Sequence, residues 1–198
     1  MGNWESFEFN PHAVVGVSLH KCLENYNKEN TYKQDEELAL MEREFKLNNQ
    51  ETKTDKYDFI EKFQTGIRSI KELWLKKPNQ SELEIKVTIK WTNYWLKGKI
   101  DALYTEYGLD YKFVSETSSA EKAQEKYWFQ AMFYMYLIYK KTLQKLDWRI
   151  LEISTEDWWV RWHQFKRDES IIQQIEDTTR KCIIKAERLR SLQLKDVL

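Results

Sequence analysis

The stretch Lys97-Gly98-Lys99-Ile100-Asp101-Ala102-Leu103-Tyr104, then Thr105-Glu106-Tyr107-Gly108, then Leu109-Asp110-Tyr111-Lys112-Phe113-Val114 decides the fold. Its residues alternate with the period of two that a strand imposes. The spacing predicts strands over about 95–104 and 109–115, joined through Thr105–Gly108, with Gly108 supplying a positive φ if the turn requires one. A four-residue loop pairs Tyr104 with Leu109 and Asp101 with Lys112, and sets Asp110 against Leu103. A two-residue loop sets Asp101 opposite Asp110. Either even register puts Asp101, Asp110 and Lys112 on one face, and an odd loop without a bulge splits them. The opposite face, Ile100, Ala102, Tyr104, Leu109, Tyr111 and Phe113, suits a core.

Two acids side by side on an apolar sheet repel unless a cation lies between them. Oxygen donors of this kind favour Mg²⁺ or Mn²⁺. A lysine beside them can stabilise charge on a phosphate or hold an attacking water. The same residues also permit a solvated polar face with an Asp101–Lys112 cross-strand ion pair.

Working outward, Leu83, Ile85, Val87, Ile89 and Trp91 alternate with Glu84, Lys86, Thr88 and Lys90, and predict a first strand that turns at Asn93-Tyr94. Upstream the period is helical. Val14, Val15, Leu19, Cys22, Leu23 and Tyr26 mark a helix over about 13–26. A second is expected over 33–47 and a third over 54–76, between the breakers Asn48-Asn49-Gln50 and Pro78-Asn79-Gln80-Ser81. Downstream, a helix over 119–142 is capped by Ser118 or Ser119. Trp148, Ile150 and Ile153 suggest a fourth strand. Trp158-Trp159-Val160-Arg161-Trp162 is a fifth strand or an apolar loop, which could fill a core or stack on unpaired bases. An amphipathic helix over 168–192 closes the chain. The expected organisation is one domain over 1–198: a mainly helical part over 1–80, a sheet core over 81–160, and the last helix.

Composition excludes several classes. Lys+Arg and Asp+Glu both number 32, so no overall basic field draws the chain to nucleic acid. Local asymmetry remains: Asp35, Glu36, Glu37, Glu42 and Glu44 are acidic, whereas Lys86, Lys90, Lys97, Lys99, Lys140, Lys141, Lys145 and Arg149 flank the hairpin. The two cysteines, Cys22 and Cys182, exclude a four-cysteine zinc or iron–sulfur site. The N-terminus Met1-Gly2-Asn3-Trp4-Glu5 lacks an apolar leader, and Met1-Gly2 with Ser6 is only a weak myristoylation pattern. No apolar run reaches the length of a membrane span. A cytoplasmic protein is expected.

Gly98-Lys99-Ile100-Asp101, Asp110-Tyr111-Lys112 and Gln130-Ala131-Met132-Phe133-Tyr134 together resemble the PD-(D/E)XK nuclease superfamily, most closely its RecB-like exonuclease branch. The pattern there is G-x-x-D, D-Y-K and Q-x-x-x-Y in that order. Gly16-Val17-Ser18-Leu19-His20 is similar to the helical G-x-x-x-H that precedes the core in that branch. The resemblance implies an α/β, restriction-endonuclease-like core: a small mixed central sheet flanked by helices, after an N-terminal helical region. It implies that Asp101, Asp110, the Tyr111 carbonyl and His20 bind Mg²⁺ or Mn²⁺. Lys112 would be the catalytic lysine. Gln130, Tyr134 and Lys99 would meet the DNA.

The implied activity is metal-dependent DNA hydrolysis, on ends or single strands, in repair or recombination. Unwinding would come from a helicase or recombination partner. The alternatives are an endonuclease of a mobile element or defence system, and a catalytically silent nuclease-fold module that binds DNA or a helicase. Phe113 stands where many members carry Thr or Ser. Glu84 offers an extra acid ranked below His20, and Glu24, one turn after His20, is a candidate partner for it or a solvated acid. His12 and His163 stand alone.

Overall fold

The structure, a computed structural model, describes residues 11–48, 56–73, 75–89 and 94–195. The Met1-Gly2 and Ser6 pattern, Asn49-Gln50, the helix start at Thr54, Lys90, Trp91 and Asn93 lie outside the described residues. In chain order the elements are α1 (Pro11–Glu29), α2 (Gln34–Asn48), α3 (Lys56–Glu72), β1 (Gln80–Thr88), β2 (Trp95–Leu103), β3 (Tyr107–Val114), α4 (Ala120–Thr142), β4 (Asp147–Ser154), β5 (Val160–Phe165) and α5 (Glu169–Lys195). The α/β architecture matches the sequence reading, and the fifth strand is real.

Two compact units emerge. One comprises Met1–Ser81, Tyr111–Ser118 and Leu151–Trp162; the other comprises Glu82–Asp110, Ser119–Ile150 and His163–Leu198. In the first, α1, α2 and α3 pack against one another. Pro11 opens α1 at the position where its missing N–H costs nothing. Val15, Leu19, Cys22 and Leu23 then recur at threes and fours and are all buried. Asp35, Glu36 and Glu37 occupy the first turn of α2, where the helix dipole favours negative charge. Phe59, Phe63, Ile67 and Ile70 form the buried stripe of α3.

In the second unit, Ile85, Ile100, Leu103, Tyr127, Met132, Met135, Leu137, Trp148, Ile150 and Ile172 belong to one apolar cluster. The Ser119 hydroxyl caps α4 by accepting a hydrogen bond from the Lys122 amide at 3.3 Å. Asp168 does the same for α5, accepting from the Ser170 amide at 2.9 Å. The buried stripe of α5 is shorter than its apolar periodicity implies. Ile172 and Ile175 are buried, whereas Cys182 and Ile184 are exposed.

The strands form one sheet in the order β1-β2-β3-β4-β5. The Asp147 amide donates to the Glu106 carbonyl and the Thr155 amide to the Val114 carbonyl, so β4 starts and ends where β3 does and runs parallel to it. The Ser154 amide donates to the Trp159 carbonyl and closes a tight return into β5. With β2 and β3 antiparallel, the sheet is mixed.

The central hairpin has a shorter loop than a turn at Gly108 implies. Ala102 pairs with Leu109 and Leu103 with Gly108, leaving Thr105-Glu106 as the loop. Tyr104 and Tyr107 close it: the Tyr104 amide donates to the Tyr107 carbonyl at 2.9 Å, and the rings stack at 4.6 Å. Gly108 has no positive φ. Its hydrogen is needed for space, because a Cβ there would lie 2.1 Å from the Trp148 ring. Burial alternates along β2 as far as Ile100 and then covers both faces, from Ile100 to Leu103. Ile100 and Leu103 both join the core cluster, and Ala102 and Leu109 are fully buried.

Candidate active site

The first unit positions His20, Tyr111 and Lys112. Gly16 lies where α1 passes closest to β3: a Cβ there would sit 3.2 Å from the Phe113 Cβ. One turn later, the His20 ring meets the Tyr111 ring edge-on at 6.2 Å. Tyr111 is buried, and its hydroxyl accepts a hydrogen bond from Asn27 Nδ2 at 3.3 Å. His20, Tyr111 and Lys112 line one cleft of about 680 Å³, with Gly16, Lys21 and Glu24 also on its wall.

Glu24 is not a solvated acid, and its carboxylate turns to lysines rather than to His20. It is buried, and Lys21 at 2.6 Å and Lys28 both pair with it. Burial pushes its carboxyl up, but the bonds from Lys21 and Lys28 outweigh that and hold it at about 2. Burial raises the Cys22 thiol to about 12, which leaves it an inert core residue.

The second unit holds the acids. Asp101 and Asp110 are both buried. The Leu103–Gly108 and Ala102–Leu109 pairs, continued by one step, set Asp101 opposite Asp110, as the two-residue loop requires. Close to Asp101 stands an acid that sequence reasoning missed. Glu82, on β1, presents a carboxylate oxygen within 4.8 Å of one from Asp101. Its side chain is 5% exposed and its φ is 51°, a left-handed backbone that a glutamate rarely adopts. Glu84, the acid singled out on that strand, is solvent-facing and pairs with Lys86 and Lys97, whose bonds lower its carboxyl. Nothing in the alternation distinguishes Glu82 from Glu84; only the left-handed turn of the backbone does.

Gln130 and Tyr134 lie one turn apart on α4, both half-buried. Tyr134 stacks on Trp148 at 4.8 Å, and a Cβ on Gly98 would come within 2.8 Å of its ring. Gly98 therefore lets α4 settle on β2 and holds Tyr134 against the strand that carries Asp101. Lys99 pairs with Glu82, Lys140 with Glu176 and Lys145 with Glu169, while Arg149 stacks on Tyr107 at 3.8 Å. The basic residues flanking the hairpin are thus largely engaged with acids and aromatic rings. His12 pairs with Glu156 at 3.6 Å, and His163 is buried. Trp159 and Trp162 are exposed, whereas Trp158 packs where a Cβ on Gly66 would fall.

A family profile described as the PD-(D/E)XK nuclease superfamily matches residues 2–195. The chain belongs to the PD-(D/E)XK nuclease superfamily. Its members are nucleases, hydrolases of nucleic acids, and they use divalent metals. Among curated proteins there is no match. Among solved structures, a protein of Eubacterium rectale provisionally named an exonuclease overlays with a TM-score of 0.64 at 13% identity, covering 94% of this chain and 71% of that one. That likeness bears on the fold. A second, SSO0001, covers 90% of this chain and 79% of its own at 15% identity, with a TM-score of 0.36 that carries no argument.

The donor set of this PD-(D/E)XK chain fits a divalent cation. Glu82 and Asp101 bring carboxylate oxygens together with both side chains buried, and the Lys99 ammonium offsets charge on Glu82. Carboxylate oxygens of this kind suit Mg²⁺ or Mn²⁺ over softer metals. No helix among the described residues is long and apolar enough to cross a membrane.

Proposed function

We propose that this protein is a Mg²⁺- or Mn²⁺-dependent deoxyribonuclease of the RecB-like exonuclease type, acting on DNA ends or single strands. The observation that carries the reading is the pair of buried carboxylates, Asp101 and Asp110, on adjoining strands with Lys112 two residues further on. Asp101 and Asp110 would hold the cation through carboxylate oxygens, Tyr111 through its main-chain carbonyl and His20 through neutral imidazole. Such a cation, when bound, polarises a phosphate and acidifies water. Lys112 would set its ammonium against the phosphate oxygens as negative charge builds on them.

Asn27 Nδ2 donates to the Tyr111 hydroxyl and helps to hold that side chain in place. Gln130 and Tyr134 would hold the DNA, with Tyr134 oriented by its stacking on Trp148. Lys99 would meet a phosphate. Helicase or recombination machinery would present the DNA, and the two cysteines outside disulfides support a reducing, cytoplasmic setting.

The test is cleavage of end-labelled linear and circular single-stranded DNA with Mg²⁺ or Mn²⁺. The native chain should degrade linear DNA and spare circles. Asp110→Ala and Lys112→Ala should each lose at least about 10²-fold in rate, the scale of removing one charge-stabilising group. A native chain that cuts no DNA with either ion would overturn the proposal, and cutting of circles would move it to an endonuclease.

A further inference from the structure

Glu82 has three features that regular strand packing does not explain. Its backbone is left-handed within β1, which turns a strand acid inward at a cost in conformational energy. Its side chain is almost fully buried. Its Oε2 is met by the Lys99 ammonium. The Lys99 side chain is 57% exposed, so its nitrogen reaches in from solvent to neutralise an acid within 4.8 Å of Asp101.

A buried carboxylate whose oxygen is faced by an ammonium reaching in from solvent is suited to exchange that ammonium for a metal ion. Both place positive charge on the same oxygen, and a divalent ion brings two charges to the neighbourhood of Glu82 and Asp101 where the Lys99 ammonium brings one. We infer that Glu82 is a further ligand of the divalent-cation site, and that Lys99 is a built-in competing cation which the metal displaces. Lys99 then turns outward, where a nucleic-acid phosphate can take it. The inference rests on the metal-dependent reading above and adds to it a fourth side chain and an order of events, with metal first and phosphate contact second.

The experiment is Mn²⁺ titration of the full chain, followed by calorimetry and by the electron-spin resonance signal of free Mn²⁺, with no DNA present. Glu82→Gln should weaken Mn²⁺ binding about tenfold or more, the scale seen when a residue supporting a metal site is lost. Lys99→Met should tighten it several-fold, because the competing ammonium is gone. In the Glu82→Gln background, Lys99→Met should have no further effect, since the two act through one oxygen.

Asp101→Asn separates the two proposals. If it abolishes binding while Glu82→Gln leaves affinity unchanged, the role of Glu82 is overturned and the nuclease reading stands. If the native chain binds no Mn²⁺, both fall. Lys99 is exposed, so Lys99→Met reads out even if Glu82→Gln fails to fold, and unchanged affinity in that variant overturns the inference.

Discussion

At the scale of single residues, charge is managed pair by pair. Glu24 carries a pH consequence. Its carboxyl titrates near 4.5 in the unfolded chain and at about 2 in the fold. A lowered folded value means that the stabilisation is fully present above about pH 4.5 and is lost as pH falls towards 2. Glu24→Gln should therefore cost about 1 kcal/mol at pH 7 by urea unfolding, with both lysine partners half-exposed. The difference from the native chain should vanish near pH 2. A constant difference across the acid range would show that Glu24 acts through packing instead.

At the scale of elements, glycines set the approach of helix and ring to strand. Gly108→Ala would drive a methyl into the buried Trp148 ring at 2.1 Å, and overpacking of this sort costs about 1–3 kcal/mol. Gly16→Ala meets Phe113 at 3.2 Å and should cost clearly less, so the order of their urea midpoints checks the assignment. The helices were legible because their apolar residues repeat at threes and fours over several turns. Strand β4 and the helix after β3 were legible for the same reason of period. The hairpin register was legible only as a choice between a four- and a two-residue loop, because Gly108 resembles a turn glycine until Trp148 is seen against it. Glu82 was not legible either, since its left-handed backbone has no glycine or asparagine to announce it. The ordered motifs around His20, Asp101, Asp110 and Lys112 pointed to the superfamily.

At the scale of the whole molecule, equal numbers of acids and bases leave affinity for DNA to local groups, and the lysines nearest the acids are already engaged with carboxylates. A bound divalent ion should therefore change the protein measurably. Mn²⁺ at a hundred times its dissociation constant adds about 2.7 kcal/mol, which for a chain of this length raises the melting temperature by roughly 5–10 °C. That shift should be present in the native chain and absent in Asp101→Asn; an equal shift in both would place the ion elsewhere. One further consequence follows from the places where the chain passes between the two compact units, one of which is the Asp110–Tyr111 peptide bond. Asp110 belongs to one unit and Lys112 to the other, and each unit is assembled from three stretches of chain. A nick or an inserted segment at this bond should therefore abolish the proposed cleavage, since the D-Y-K triplet would no longer be one continuous piece.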